Sequence, residues 1–273
     1  MSLVSNARMY AVTPNVHAAW QTLFAWVSRA SGVPLAYVDH AAPAPLEALW
    51  ARNDLGAAFM CGFPFALATP RPHLIAAPVP SAPRYGGLPQ YCTDFVVRAD
   101  HPATQLSDTF GGRLGWTVEH SQSGFNAVRH HVGRYKPERN GPLYAQWVGP
   151  LLTPRRVIDA VIAGKIDVGP LDSYVHDLLL RHEPATAARL RVVESTAMTP
   201  IPPLIASHTL DEGSVERLRQ ALISGANESE LVLTFESLCL AGFVSVDADD
   251  YQKLVTQARN AENNDLSIFL DRG

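Results

Sequence analysis

Apolar positions along the chain alternate between the spacing of a helix and the short unbroken runs of a buried strand. A helix that ends at Gly32 is predicted from apolar residues spaced i, i+3, i+4, i+7, namely Trp20, Leu23, Phe24 and Val27. Short apolar runs such as LGAAFM (55–60) and IDVGPL (166–171) predict strands, and residues 8–12 are predicted as the first strand. This alternation indicates an α/β fold of mostly parallel sheets with helices on both faces.

Two proline-rich stretches interrupt this alternation and predict boundaries between parts of the fold. Residues 77–90 have the proline, glycine and serine content of a loop. The second stretch, TAMTPIPPLIAS (196–207), contains prolines that fit a strand edge or a crossover between lobes. The remainder, residues 211–273, is predicted to be helical.

Composition excludes several classes of protein and site. The formal charge of −4 comes from scattered residues, so no broad basic surface is available for nucleic acid or an anionic membrane, and no apolar run predicts membrane insertion. The three cysteines lie far apart, so neither a disulfide framework nor a metal site is expected, and no cofactor is expected. The first residues lack the pattern of a signal peptide. The expected compartment is therefore the cytoplasm as written, or the periplasm if a native signal sequence precedes this chain.

The segment EHSQSGFNAVRHHV (119–132) carries the most specific chemical pattern in the chain. Ser121 or Ser123 is placed to cap an amphipathic helix, and Gly124 allows another group to approach the backbone. A helix start offers unpaired amide donors and the positive end of a dipole, and two hydroxyls add further donors for an oxyanion. The segment predicts an anion site, although the same residues also begin ordinary helices.

Other motifs of catalysis are missing from the sequence. It contains no GxSxG elbow, no GxGxxG turn and no GxxxxGK[ST] loop, and no catalytic residue is assigned. Asp172 and His176 have i, i+4 spacing but lack a third metal ligand in the sequence. Tyr91, Trp116 and Tyr174 fall near predicted strand ends, where open α/β sheets place ligands, although such aromatics more often belong to core or lid packing.

The order of these segments resembles the phosphate, phosphite and phosphonate ABC-transporter binding proteins. The likeness runs over residues 8–207 and is carried by LGAAFMCGFPFALA, YCTDFVVRAD, LSDTFGGRLGWTVEHSQSGF and VIDAVIAGKIDVGPLDSYV. It implies a two-lobed type II periplasmic-binding-protein fold with the ligand in the cleft between the lobes. The expected division is residues 1–91 and 196–273 for the first lobe and residues 92–195 for the second.

The resemblance also implies which residues hold the ligand. The expected ligand-binding residues of the second lobe are Ser121, Gln122, Ser123, Gly124, Phe125, Tyr91, Thr93, Asp172 and Tyr174. Those of the first lobe are Asn15, at the Pro14 loop, and Gly62 with Phe63, at a helix start. Gln122 stands where the family usually has threonine.

Three positions depart from the family's pattern. The family's histidine falls at Pro154, its cleft glutamate at Tyr174, and its crossover aspartate close to Pro202. Because the two acidic groups would recognise the ammonium of an aminophosphonate, their loss favours a ligand with an anionic end and an uncharged remainder. A bound ammonium group at this position would contradict that hypothesis.

The expected function is the binding of a small anionic ligand, a phosphonate, a phosphate-like oxyanion or a related organic acid. The protein would act as the solute-binding component of an ABC transporter beside its permease, or as a sensor that passes lobe closure to a signalling partner. An enzyme remains the alternative, because chorismate dehydratase-type proteins and thiamine pyrimidine synthases resemble the same fold. In that case Asp94, Asp172 and His120 are the acid-base candidates.

Overall fold

The computed structural model describes residues 2–138 and 142–263, which form two compact units. Over the described residues, unit 1 comprises residues 2–90 and 200–251, and unit 2 comprises residues 91–199 and 252–263. The chain therefore passes between the units three times, after residues 90, 199 and 251.

Strands and helices alternate along most of the described chain. The strands are β1 (Leu3–Asn6), β2 (Leu35–Tyr37), β3 (Leu55–Phe59), β4 (His73–Pro80), β5 (Gln90–Tyr91), β6 (Thr93–Arg98), β7 (Arg113–Gly115), β8 (Gln146–Val148), β9 (Gly169–Asp172), β10 (Leu190–Ser195), β11 (Thr199–Pro200), β12 (Leu204–Ala206) and β13 (Leu240–Val244). The helices are α1 (Pro14–Ser31), α2 (Leu46–Trp50), α3 (Gly62–Leu67), α4 (Ala127–Val132), α5 (Pro154–Ile162), α6 (Ser173–His182), α7 (Pro184–Ala187), α8 (Glu212–Ser224), α9 (Val232–Ser237) and α10 (Gln252–Asn263). A single-turn π-helix, Gln122–Asn126, leads directly into α4.

Unit 1 is built on a six-stranded sheet in the order β13-β4-β12-β3-β1-β2. Strand β1 pairs in parallel with β2 and β3, whereas β12 and β13 pair in antiparallel fashion with their neighbours. Trp20, Leu23 and Phe24 of α1 are fully buried, and the Trp20 ring packs edge-on against Phe59 of β3 at 5.0 Å between centroids. The helix predicted from the apolar spacing is thus confirmed, and Gly32 ends it at φ 66°.

The first strand begins earlier than the sequence pattern predicted. Residues 8–12 were expected to be a strand, but β1 is Leu3–Asn6, and the chain turns directly after it. The amides of Tyr10 and Ala11 both donate to the carbonyl of Ala7, which closes a turn. Pairing with β2 and β3 selects the earlier segment, and a local apolar pattern cannot reveal that pairing.

Unit 2 is built on a three-stranded sheet in the order β10-β6-β9, with a separate parallel pair of β7 and β8. Both pairings in the larger sheet are antiparallel, although the sequence alternation had favoured parallel pairing. The order of strands and helices does not determine direction when the strands are far apart in sequence. The core beneath this sheet contains Phe95, Val97, Leu106, Leu114, Val128, Val132, Leu143, Tyr144 and Val168.

The C-terminal helix α10 belongs to unit 2, whereas the sequence division had placed it in the first lobe. It packs against α4 and against the π-helix. Its buried residues are Leu254, Val255, Ala258 and Ala261, which recur at helical spacing. A stripe of this kind shows that one face of a helix is covered, but only the tertiary structure shows which unit covers it. The prediction that residues 211–273 are all helical was wrong at β13 (Leu240–Val244), which forms a strand by pairing with β4, and residues 264–273 lie outside the described residues.

Candidate functional site

The serine loop, residues 121–125, starts with a serine cap on the π-helix. Ser121 Oγ accepts a hydrogen bond from the Gly124 amide at 3.0 Å, and the Asn126 amide donates to the Ser121 carbonyl at 3.0 Å. The Asn126 side chain also donates to the Ser121 carbonyl and to the Glu119 carbonyl, each at 3.1 Å. These hydrogen bonds hold the first turn closed, so the helix start has a defined geometry.

Gly124 is required because the loop lies directly against Thr117. A Cβ atom on Gly124 would lie 1.9 Å from Thr117 Oγ1 and 2.8 Å from Thr117 Cγ2. The Thr117 amide donates to the Gly124 carbonyl at 3.1 Å, which ties the two segments together. The sequence analysis assigned Gly124 to close approach, and the structure shows that the approaching group is a threonine of the same unit.

Thr93 anchors the loop from strand β6. Its Oγ1 donates to the Ser123 carbonyl at 2.9 Å, and Thr93 itself is buried. The sequence placed Thr93 among the ligand-binding residues, and in the structure its hydroxyl supports the loop backbone. Tyr91, at the end of β5, is also buried, and its carbonyl accepts a hydrogen bond from Thr199 Oγ1 at 3.5 Å.

Three side chains at and beside the serine loop carry buried polar atoms without a hydrogen-bond partner among the described residues. They are both amide atoms of Gln122, the hydroxyl of Thr117 and the indole nitrogen of Trp116. The Trp116 ring contacts the Phe125 ring at 5.2 Å between centroids. Buried polar groups are rarely left unpaired in native proteins, so this concentration marks a place where a polar ligand can bind.

Electrostatics at the loop favour an anion. The amides of Gln122 and Ser123 occupy the first two positions of the helix, where the helix itself supplies no carbonyl partner. Because Ser121 Oγ already accepts from Gly124, its own hydrogen is left to donate. The loop therefore directs donors and the positive end of a short helix toward one place.

Asp172, another candidate, ends strand β9 and caps helix α6. Its Oδ1 accepts hydrogen bonds from the amides of Tyr174 and Val175, at 2.9 and 3.2 Å. The pKa of Asp172 is raised to about 7, chiefly by burial and also by the nearby Asp94 carboxylate, while the two amide bonds act in the opposite direction. Tyr174, in the first turn of α6, is fully buried.

A buried polar network around Asp94 was not predicted from the sequence. Asp94 is fully buried and accepts hydrogen bonds from Ser195 Oγ at 2.7 Å and from Cys92 Sγ at 3.7 Å. Its other oxygen is 2.9 Å from His176 Nδ1, so His176 pairs with Asp94. Asp94 and His176 are 82 residues apart, and no local pattern could have indicated their contact. The described residues contain no group of three or more histidine, cysteine, aspartate or glutamate side chains that could hold a metal ion.

The expected first-lobe residues lie at two helix starts of unit 1. Asn15 is exposed in the first turn of α1, which Thr13 caps by accepting a hydrogen bond from the Val16 amide at 3.3 Å. Gly62 is buried and begins α3, and Phe63 beside it is half-buried. Because β1 and β3 are parallel, both helices start at the carboxyl edge of these strands, where α/β sheets place ligands.

The sequence matches the family model described as ABC transporter, phosphonate, periplasmic substrate-binding protein over residues 11–251. The chain belongs to this family. The resemblance and the binding of a small anionic ligand, both expected from the sequence, are thereby confirmed. No curated protein matches the sequence, and none of the described helices has the length and apolar character to cross a membrane.

Solved structures confirm the fold class. A binding protein component of an ABC phosphonate transporter from Pseudomonas aeruginosa is similar with a TM-score of 0.81 at 16% identity, covering 100% of this chain and 91% of that one. PhnD1 from Prochlorococcus marinus, in complex with methylphosphonate, has a TM-score of 0.78 at 15% identity, with 96% and 98% covered. MatC from Rhodopseudomonas palustris, with bound malate, has a TM-score of 0.59 at 14% identity, with 97% and 99% covered.

Proposed function

We propose that the protein binds a phosphonate or another tetrahedral oxyanion through the serine loop, as the solute-binding component of an ABC transporter. The observation that carries the proposal is the buried helix start at Ser121, where hydroxyl, amide and carboxamide donors are grouped with unpaired polar atoms. Family membership supports the transporter role, and a permease is the partner that this role requires. The methylphosphonate bound by PhnD1 is the most direct guide to a first ligand.

The strength of such a site follows from its donors. A hydrogen bond to a charged group contributes about 1.5 to 3 kcal/mol, so three or four of them support micromolar binding after the cost of association. Ser123 supplies a hydroxyl without serving as the cap, because the cap is Ser121. Removing the Ser123 hydroxyl therefore tests ligand contact with little change to the loop.

The remainder of the ligand is expected to be uncharged. Tyr174 stands where the resembling family has a glutamate, so this position has no carboxylate to pair with an ammonium group. We therefore expect alkylphosphonates to bind more tightly than aminoalkylphosphonates of the same length.

The test is a thermal-shift and calorimetric screen of the purified protein. The ligands are methylphosphonate, ethylphosphonate, aminoethylphosphonate, phosphite, phosphate, sulfate and malate. A ligand at about one hundred times its dissociation constant adds roughly 2.7 kcal/mol to the free energy of unfolding, which raises Tm by several degrees.

Two variants accompany the wild type in this screen. Ser123→Ala is expected to weaken oxyanion binding about tenfold or more, the loss of one charge-assisted bond. Ser224→Ala is the matched control, because Ser224 donates to the Ala221 carbonyl within α8 of unit 1. Equal affinities in the two variants would refute the role of the serine loop, and recovery of unaltered ligand after long incubation separates binding from catalysis.

A further inference from the structure

The Gln122 side chain is the most unusual polar group at the serine loop. It is 1% exposed, and neither its Nε2 nor its Oε1 has a hydrogen-bond partner among the described residues. A carboxamide buried in this way stays costly until something supplies one acceptor and one donor together.

Most of the other polar groups at the loop need only an acceptor from the ligand. The helix amides, the Ser121 hydroxyl and the Trp116 indole N–H are donors, and they suit any oxyanion. The Thr117 hydroxyl rotates and can either donate or accept. Only the Gln122 carboxamide requires a hydrogen from its partner, because its oxygen cannot donate.

We propose that Gln122 makes the site selective for an oxyanion that still carries a proton. Its N–H would donate to one ligand oxygen, and its Oε1 would accept the hydrogen of a neighbouring P–OH group. Such ligands are hydrogen phosphate and the monoanion of an alkylphosphonate, whereas sulfate near neutral pH offers acceptors only. This inference rests on the proposed function, since it assigns the selectivity of the same site.

Hydrogen phosphate and sulfate make a direct test, because both are tetrahedral dianions near pH 8 and differ in the single proton. The wild type is expected to bind phosphate at least about tenfold more tightly than sulfate, since an unmet buried acceptor costs about one decade of affinity or more. Methylphosphonate is measured beside them at pH 6 and pH 9. Its affinity is expected to fall about tenfold or more at pH 9, where it has lost its last proton.

The variant Gln122→Met keeps the length of the side chain and removes both polar atoms. In this variant, the affinities for phosphate and sulfate are expected to differ by less than about threefold. Its affinities for methylphosphonate at pH 6 and pH 9 should also differ by less than about threefold. Gln122→Thr restores a hydroxyl that can donate and accept, and it is expected to regain part of the preference. Ser123→Ala is the control, because it removes a hydroxyl and should weaken phosphate and sulfate by the same factor.

Each outcome separates this inference from the proposed function. If the wild type binds phosphate and sulfate equally, or if Gln122→Met keeps the wild-type preference and pH dependence, the selectivity is refuted while oxyanion binding stands. If neither methylphosphonate, phosphate nor sulfate binds the wild type, the proposed function fails and the inference fails with it. Thermal unfolding of both Gln122 variants checks that they fold, and Gln122→Thr carries the test if the methionine variant does not.

Discussion

At the scale of single residues, the serine loop is held by a close contact and by a side-chain hydrogen bond. Gly124 touches Thr117 at a distance that excludes any side chain, and Thr93 fixes the carbonyl of Ser123 from strand β6. The donors of the loop are therefore held in place before a ligand arrives. Preorganised donors lose little entropy on binding, which raises the affinity of a small site.

The variant Gly124→Ala is expected to displace the loop and weaken binding of methylphosphonate at least about tenfold. The added Cβ would lie 1.9 Å from Thr117 Oγ1, so one of the two segments must shift. A shift of that size misplaces donors that need hydrogen-bond distances of about 2.7 to 3.2 Å. Isothermal titration calorimetry measures the loss.

The control for this variant is Gly213→Ala, in helix α8 of unit 1. A Cβ there would lie 3.3 Å from Asp211 Oδ1 and 3.6 Å from Arg217 Nη1, so it needs a far smaller adjustment than a Cβ on Gly124. This variant should bind methylphosphonate as the wild type does. Unchanged affinity in Gly124→Ala would show that the loop does not contact the ligand.

Asp172 makes the free energy of unfolding depend on pH in the opposite direction from most carboxylates. Its pKa in the folded protein is about 7, against 3.8 as the usual value. Stability from this group is complete below the usual pKa, falls as pH rises through the interval between the two values, and levels off above about 7. Asp172→Asn keeps an oxygen that can accept the Tyr174 and Val175 amides and cannot ionise.

We therefore expect Asp172→Asn to gain stability relative to the wild type as pH rises from 5 to 8, as measured by urea unfolding at both values. Asp211→Asn provides the matched control, because Asp211 also caps a helix, α8, but its pKa is lowered by its bonds to Ser214. The control should show the opposite trend or none. Parallel pH profiles for wild type and Asp172→Asn would rule out this role for Asp172.

At the scale of elements, the proposed anion site lies on a π-helix that packs against a helix from the far end of the chain. Helix α10 packs on both α4 and the π-helix, so the serine loop rests on residues that follow it by more than a hundred positions. The apolar stripe of α10 includes the fully buried Leu254. Disturbing this stripe should therefore reach the site without touching any ligand-binding residue.

Leu254→Ala is expected to lower the free energy of unfolding by about 2 to 5 kcal/mol, because it leaves a cavity under α10. It should also weaken methylphosphonate binding several-fold through the π-helix. The control is Leu218→Ala, which removes an equally buried leucine from α8 in unit 1. Both variants are compared by urea unfolding and calorimetry, and equal effects on affinity would show that α10 does not support the site.

An element could be predicted from the sequence when the interactions that form it lie within a few residues of one another. Helix α1 was predicted from the apolar spacing of its own residues, and its cap is equally local, because Thr13 accepts a bond from the amide of Val16 three positions away. The strand expected at residues 8–12 was wrong, because β1 exists through its partners β2 and β3. The predicted helix after Ser121 is present, but its first turn is a π-helix. Hydrogen bonds join this turn to Thr93 and Thr117 through the carbonyls of Ser123 and Gly124.

At the scale of the whole molecule, the chain passes between two compact units three times. The two proline-rich stretches lie at the first two passages, and nothing in composition marks the third, after residue 251. Proline and glycine favour loops through their backbone preferences, so they mark those passages at which the chain forms a loop. The third passage runs from the turn that precedes α10 directly into that helix, so it needs no such signal.

The sequence by itself determined the α/β class, a helix capped by Ser121 or Ser123, the close approach at Gly124 and the membership of a family of anion-binding proteins. These depend on hydrogen bonds and apolar spacings that act within a few residues, or on motifs that lie together in the chain. The tertiary structure alone decided that Thr93 and Thr117 hold the loop, that His176 pairs with Asp94, and that α10 packs against α4 and the π-helix. Those contacts join segments far apart in sequence, and strand register and helix packing, not local preference, bring such segments together.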